Sequence, residues 1–124
     1  MMHTRLLLLL AGLAAGGVAA AQATGDAARG RDLYEQRCIA CHAIDANRVG
    51  PMHRGVHGRK AGSVPGFAYS QALRASGVVW DDRTLDLWLA DPQKLVAGQR
   101  MNFRVADPRD RADIIAWLRL NPAR

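Results

Sequence analysis

The chain contains two cysteines, and they stand three positions apart with a histidine directly after the second: Cys38-Ile39-Ala40-Cys41-His42. On a helical turn, residues i and i+3 project to the same side. Both sulfurs can then form thioethers with the two vinyl groups of one porphyrin edge. The imidazole of the next residue falls beneath the ring centre as an axial iron ligand. This spacing is the attachment signature of c-type haem.

Three other readings of the pair are weaker. A thioredoxin-like redox couple needs a strand-turn-helix setting, which the surrounding residues lack, and it has no use for His42. A structural zinc ion needs four ligands, and the second pair would be His53 and His57 in a glycine-rich loop. A plain disulfide is the remaining alternative. A framework of several disulfides is excluded, because there are two cysteines in all.

The apolar content points the same way. Met1 to Ala21 reads as a secretory signal, with a basic start (His3, Arg5), a run of Leu from Leu6, and small residues Ala19-Ala20-Ala21 before the cut. The stretch is too short and too rich in Ala and Gly for a membrane span, which wants about 20 apolar residues. An uncleaved anchor is the alternative. Cleavage after Ala21 leaves 124 − 21 = 103 residues, one small domain over 22–124. In those, 19 Leu, Ile and Val plus two Phe make 21 of 103, close to the limit at which a chain buries enough apolar surface to fold. A cofactor completing the core resolves the shortfall.

The chain carries 17 Lys and Arg against 11 Asp and Glu; the signal removes Arg5, leaving 16 − 11 = +5. Export argues against nucleic acid as the partner of this charge. Acidic proteins or an anionic surface fit better.

The pattern is all-helical. Asp26 caps a first helix that carries Leu33 and Tyr34 and runs into Cys38. Ala43 to Tyr69 is an irregular loop punctuated by glycine and proline, and a loop this long in a small domain wraps something or carries function. A short helix is expected over Ser70–Ala75. Trp80-Asp81-Asp82 opens a middle helix with Leu85, Trp88 and Leu89 on one face, ended by Asp91-Pro92. Leu95 to Val105 is a second loop. Asp107-Pro108 opens the last helix, with Ile114, Ile115 and Leu118 facing inward and Trp117 beside them.

For the second axial position the candidates are Met52, His53, His57 and Met101. The first three follow His42 within ten to fifteen residues, near the side of the ring that it occupies. Met101 lies 101 − 42 = 59 residues on, in an irregular loop beside Gly98, and is the favoured ligand. Pro51 offers a carbonyl to the other nitrogen of His42. Arg59, Tyr69, Trp80 and Gln99 are candidate donors to the propionates.

With these residues in place, the sequence resembles the class I c-type cytochromes, of the mitochondrial-like kind found also in bacterial periplasms. The likeness runs from Gly25 to Leu120. It includes Gly30, Tyr34, the Cys38–His42 motif, Val49-Gly50-Pro51, Gly55 to Gly62, Pro65 to Ser70, Trp80, Asp91-Pro92, Met101, Phe103 and Ala112 to Leu118. The resemblance implies a cytochrome c fold wrapped round one haem c, bound through Cys38 and Cys41, with iron held by His42 and Met101. It implies Gly30 at a close helix crossing beside Trp117, with Tyr69 and Trp80 on a propionate. The function implied is periplasmic one-electron transport by a monomeric non-enzyme. Its partners would be a cytochrome bc complex or periplasmic dehydrogenase as donor and a terminal oxidase or reductase as acceptor. Lys60, Lys94, Arg100 and Arg104 are expected around the haem edge. A gas-binding or peroxidase-like haem, with Met101 absent or displaceable, is the rival class. The sequence departs from the family at His53 (commonly leucine), Leu73 (commonly asparagine), Trp88 (often tyrosine) and Ala97 (usually proline).

Overall fold

The computed structural model describes residues 25–124, so the signal-peptide reading of residues 1–21 lies outside the described residues. Helix α1 (Ala27–Arg37) starts where Asp26 leaves helical geometry and its carboxylate accepts from the N–H groups of Ala28 and Arg29 at 3.0 and 3.1 Å. It buries Gly30, Leu33 and Tyr34. Helix α2 (Gln71–Ala75) is a single short turn capped by Ser70. Helix α3 (Asp82–Ala90) opens on a reciprocal cap, in which the Asp81 carboxylate accepts from Thr84 N–H and Thr84 Oγ1 accepts from Asp81 N–H, both at 2.8 Å. It buries Leu85, Trp88 and Leu89. Helix α4 (Pro92–Leu95) follows at once, and helix α5 (Pro108–Arg119) closes the chain with Asp107 as its cap. Among the described residues there is no strand, only an isolated antiparallel bridge between Lys60 and Val79. The all-helical expectation holds.

Two boundaries differ from the sequence reading. Helix α1 stops at Arg37 rather than carrying the cysteines, and Cys38 to Cys41 form a separate turn in which the N–H groups of Cys41 and His42 both donate to the Cys38 carbonyl, at 3.1 and 2.9 Å. The i to i+3 relation of the thiols survives because this turn keeps helical hydrogen bonding. Asp91-Pro92 both ends α3 and starts α4. Proline lacks an N–H, which the first turn of a helix does not need, and Asp91 Oδ1 accepts from Lys94 N–H at 3.2 Å.

Packing centres on α1 against α5, with α3 against α5 and α4 against α3. Gly30 makes the first crossing possible: a Cβ there would stand 1.8 Å from the Asp113 carbonyl oxygen. Charge reinforces the same junction. Arg29 bonds Asp113 and reaches Asp110 at 2.5 Å, Arg37 reaches Asp110 at 3.0 Å, and Asp113 Oδ1 accepts from Asp26 N–H at 2.7 Å. Both aspartates are buried. Arg29 holds the Asp110 carboxyl below the usual range; burial works to raise Asp113, but the Asp26 N–H and Arg29 outweigh it.

The 43–69 loop is pinned at both ends. His53 and Arg54 N–H groups donate to the carbonyls of Ala43 and Ile44, at 3.0 and 2.8 Å. Farther along, the Lys60–Val79 bridge brings Trp80 N–H to the Arg59 carbonyl at 2.9 Å. The loop therefore curls back beside α1 and seats Trp80 in the core, edge-on to Trp88.

Candidate functional site

The helices and the two loops surround a cavity of about 450 Å³, within the roughly 300–1,000 Å³ that cofactor pockets occupy. Its walls are mostly apolar side chains, among them Val56, Leu73, Leu85, Trp88, Ile114 and Leu118. This is the thin core: the inward faces of α3 and α5 pack partly on one another and partly around an interior space. Cys38, Cys41, His42, Pro51, Arg59, Tyr69, Trp80, Gln99 and Met101 all line it, so the structure gathers the favoured ligands, the attachment cysteines and the candidate propionate donors into one place.

The two thiols are free and unlinked. Burial pushes the Cys38 thiol up to about 11. Among the described residues no group of three or more His, Cys, Asp or Glu could hold a metal ion, which removes the zinc reading. His42 is buried, and its Nδ1–H donates to the Pro51 carbonyl at 2.8 Å. That bond places the proton on Nδ1 and leaves Nε2 with a lone pair for a metal. Burial lowers the imidazole's affinity for a proton, partly countered by the Pro51 bond. Gly50 is required here: a Cβ would lie 2.2 Å from His42 Cε1.

Met101 sits half-buried in the loop after α4. Its N–H donates to Gln99 Oε1, and the Gln99 carbonyl accepts from Gln93 Nε2 at 3.1 Å. A polar bracket thus replaces the rigidity that a proline at Ala97 would supply. Gln99 Nε2 is itself buried without a partner. A buried unpaired donor costs about 1–3 kcal/mol, and an anionic group bound in the cavity would offset that cost. Tyr69 oxygen accepts from Val64 N–H at 3.1 Å, leaving its own proton to donate. Arg59 is more committed: its guanidinium donates to the Met52 and Arg54 carbonyls, both at 2.9 Å, and braces the loop besides lining the cavity. The other ligand candidates separate by place. Met52 and His57 line a second, shallower cleft, and His57 bonds Asp82 at 2.8 Å. His53 lines the main cavity but lies against His42 itself, ring on ring. Burial, with the charges of His42 and Arg59, lowers its affinity for a proton strongly. The sequence named His53 as a departure but gave no sign of this stack.

An all-helical domain closed round an apolar cavity, with a Cys-x-x-Cys-His turn opening onto it, defines a protein of the c-type haem class. An apolar slot, two free thiols at the right spacing, an imidazole held by its far nitrogen and an unpaired buried donor all fit that group. Comparison with known proteins makes the assignment specific. Residues 27–121 match the cytochrome c family model. A cytochrome c2 from Rhodomicrobium vannielii is 44% identical over 104 residues, covering 81% of this chain and 82% of its own length. A cytochrome c from Euglena viridis is 43% identical over 98 residues, covering 77% of this chain and 96% of its own. Among solved structures, cytochrome cH from Methylobacterium extorquens superimposes with a TM-score of 0.74 at 47% identity, covering 77% of this chain and 99% of its own. The chain belongs to the cytochrome c family. Its cofactor is haem c, attached through Cys38 and Cys41, and its role is that of a haem c electron carrier.

Proposed function

We propose that the protein is a monomeric periplasmic one-electron shuttle, not an enzyme, with His42 and Met101 as the two axial ligands of its haem. The observation that carries this reading is that two side chains able to ligate iron line one cavity: His42, oriented by Pro51, and Met101, whose N–H donates to Gln99. When bound, the haem supplies reversible exchange of one electron between ferric and ferrous iron. The chain's part is to keep the same ligands in both states and to exclude water. With both His42 and Met101 holding the iron, no position on it would remain for a substrate, which disfavours the gas-binding and peroxidase-like reading. Methionine sulfur favours the ferrous form and raises the potential, within an axial-ligand range of about 0.8 V. Tyr69, Trp80 and Gln99 would donate to the propionates, and Arg59 would balance their charge from the loop.

Export is supported by the signal-like Met1–Ala21, and no helix among the described residues is long and apolar enough to cross a membrane. Lys60, Lys94 and Arg100 are exposed and available to acidic partners, with Arg100 also at the cavity. Arg104 is paired with Asp91 at 3.1 Å and contributes less. The donor fitting this chemistry is a cytochrome bc complex or periplasmic dehydrogenase; the acceptor is a terminal oxidase or reductase. The test is a potentiometric titration of the protein matured with haem, together with the mass of the form recovered from the periplasm. A single reversible one-electron curve and a chain beginning at Gln22 support the proposal. Turnover of a substrate, or retention of residues 1–21 in a membrane fraction, contradicts it.

A further inference from the structure

The face of the His42 ring carries a contact that attachment of the cofactor does not explain. The imidazole of His53 lies flat on it, with ring centroids 3.9 Å apart and planes 18° from parallel. His53 is itself held from two directions. Its backbone N–H donates to the Ala43 carbonyl, one residue past His42, which ties the two rings to a common stretch of backbone. On the side-chain end, Nδ1 is hydrogen-bonded to the Tyr34 hydroxyl at 2.9 Å, and the Tyr34 ring meets the imidazole edge-on at 5.6 Å. Tyr34 is buried on α1, so the helix that precedes the haem motif also fixes the ring behind it.

A single hydrogen bond from Nδ1 to the Pro51 carbonyl leaves an imidazole free to swing about the N–H···O axis. Gly50 lies over the Cε1 end of the ring, where a Cβ would stand 2.2 Å from Cε1 and 2.6 Å from both nitrogens. The stacked ring adds a flat aromatic surface to that backbone contact. We propose that His53 is a positioning residue that fixes the plane of the His42 imidazole, and through it the ligand field at the iron, with Tyr34 as its anchor. This rests on His42 being the axial ligand as proposed above. A flat aromatic ring also presents its π face to a ligand that becomes more positive when iron is ferric. The stack therefore favours the ferric state.

The experiment uses the haem-loaded protein and three variants: His53→Leu, His53→Phe and Tyr34→Phe. Proton NMR of the ferric form reads the four haem-methyl shifts, whose spread reports the orientation of the axial imidazole plane; a redox titration reads the midpoint potential. In His53→Leu the methyl pattern is expected to rearrange and the midpoint to move upward. In His53→Phe, which keeps a flat ring without the polar nitrogens, both are expected to return toward the parent. Tyr34→Phe is expected to give a smaller change in the same sense as leucine, and it carries the test if the leucine variant fails to take up haem. A parent protein with haem and a ligated imidazole, but methyl shifts that superimpose in the leucine and Tyr34 variants, overturns the positioning role alone. A parent whose iron is not ligated by His42 overturns the ligand assignment and this role together. Leucine and phenylalanine variants that change identically show that loss of the imidazole's polarity, not its stack, was responsible, and also overturn it.

Discussion

Replacing Gly30 by alanine tests the geometry on which the whole cavity depends. A Cβ built there would stand 1.8 Å from the Asp113 carbonyl oxygen and 2.4 Å from its carbon. Contacts under 3.0 Å are not tolerated, so α1 and α5 would have to separate by at least 3.0 − 1.8 = 1.2 Å. The obstacle is backbone, and no side chain can rotate to relieve it. Overpacking of this kind costs about 1–3 kcal/mol, and the upper end applies because the displaced helix also carries Asp113, with its bonds to Asp26 and Arg29. Alanine returns about 1 kcal/mol in helix propensity over glycine. The net is a loss of about 2 kcal/mol. For a domain of this size that lowers the thermal midpoint by roughly 8–16 °C. Thermal melting of the haem-loaded protein, followed at the haem absorption band and by far-ultraviolet circular dichroism, measures it; Ala28→Gly on the exposed side of α1 serves as the control for propensity alone. A Gly30→Ala midpoint within a degree or two of the parent would refute the close crossing.

Three further outcomes follow from the site and its supports. Gly50→Ala pushes a methyl toward Cε1 of His42, so the recovered protein should show weakened proximal ligation, read as a larger high-spin fraction in the ferric spectrum; an unchanged spectrum contradicts the contact. Gln99→Leu removes the acceptor of the Met101 N–H and leaves that group unpaired, a cost of about 1–3 kcal/mol. Exogenous imidazole, titrated into the ferric form, should then displace the methionine about tenfold more tightly or better, and an unaltered affinity contradicts the bracket. Acid should weaken the α1–α5 junction. Asp110 and Asp113 are held below the ordinary carboxyl value of 3.8, so their contribution is complete above that value and is lost as pH falls through the lower folded ones. Urea midpoints at about pH 6 and about pH 3 should fall further in the parent than in an Asp110→Asn/Asp113→Asn double variant; equal falls contradict the assignment.

The residues that were legible beforehand are those whose chemistry demands a fixed pattern. Covalent attachment requires two cysteines at one spacing, which Cys38 and Cys41 meet, and capping calls for Asp26 and Asp107 just ahead of apolar faces, where both cap their helices. The scarcity of aliphatic residues also read correctly, because side chains that line a cofactor slot need not fill it themselves. What escaped depends on through-space neighbours. The first helix ends before the cysteines, which stand on a separate turn closed by the Cys41 and His42 N–H groups on the Cys38 carbonyl. Pro92 stops one helix and starts another, and local pattern shows only the stop. The flat stack of His53 on His42 and the unpaired amide of Gln99 depend on how the 43–69 and 95–105 loops each close around the cavity. A sequence does not display that closure. Gly25, a second point of close approach with a notional Cβ 2.0 Å from the Ala112 carbonyl oxygen, escaped for the same reason.

The most direct measurement is a pair of absorption spectra, oxidised and reduced, of the haem-loaded protein and its Met101→Ala variant, with carbon monoxide added to each reduced form. Ligation by His42 and Met101 requires a weak far-red methionine-to-ferric band in the parent that vanishes in the variant. Carbon monoxide should then bind the variant and leave the parent unchanged. A parent that is high-spin, or that binds carbon monoxide readily, contradicts a closed electron carrier and transfers the case to a haem that binds gas or substrate.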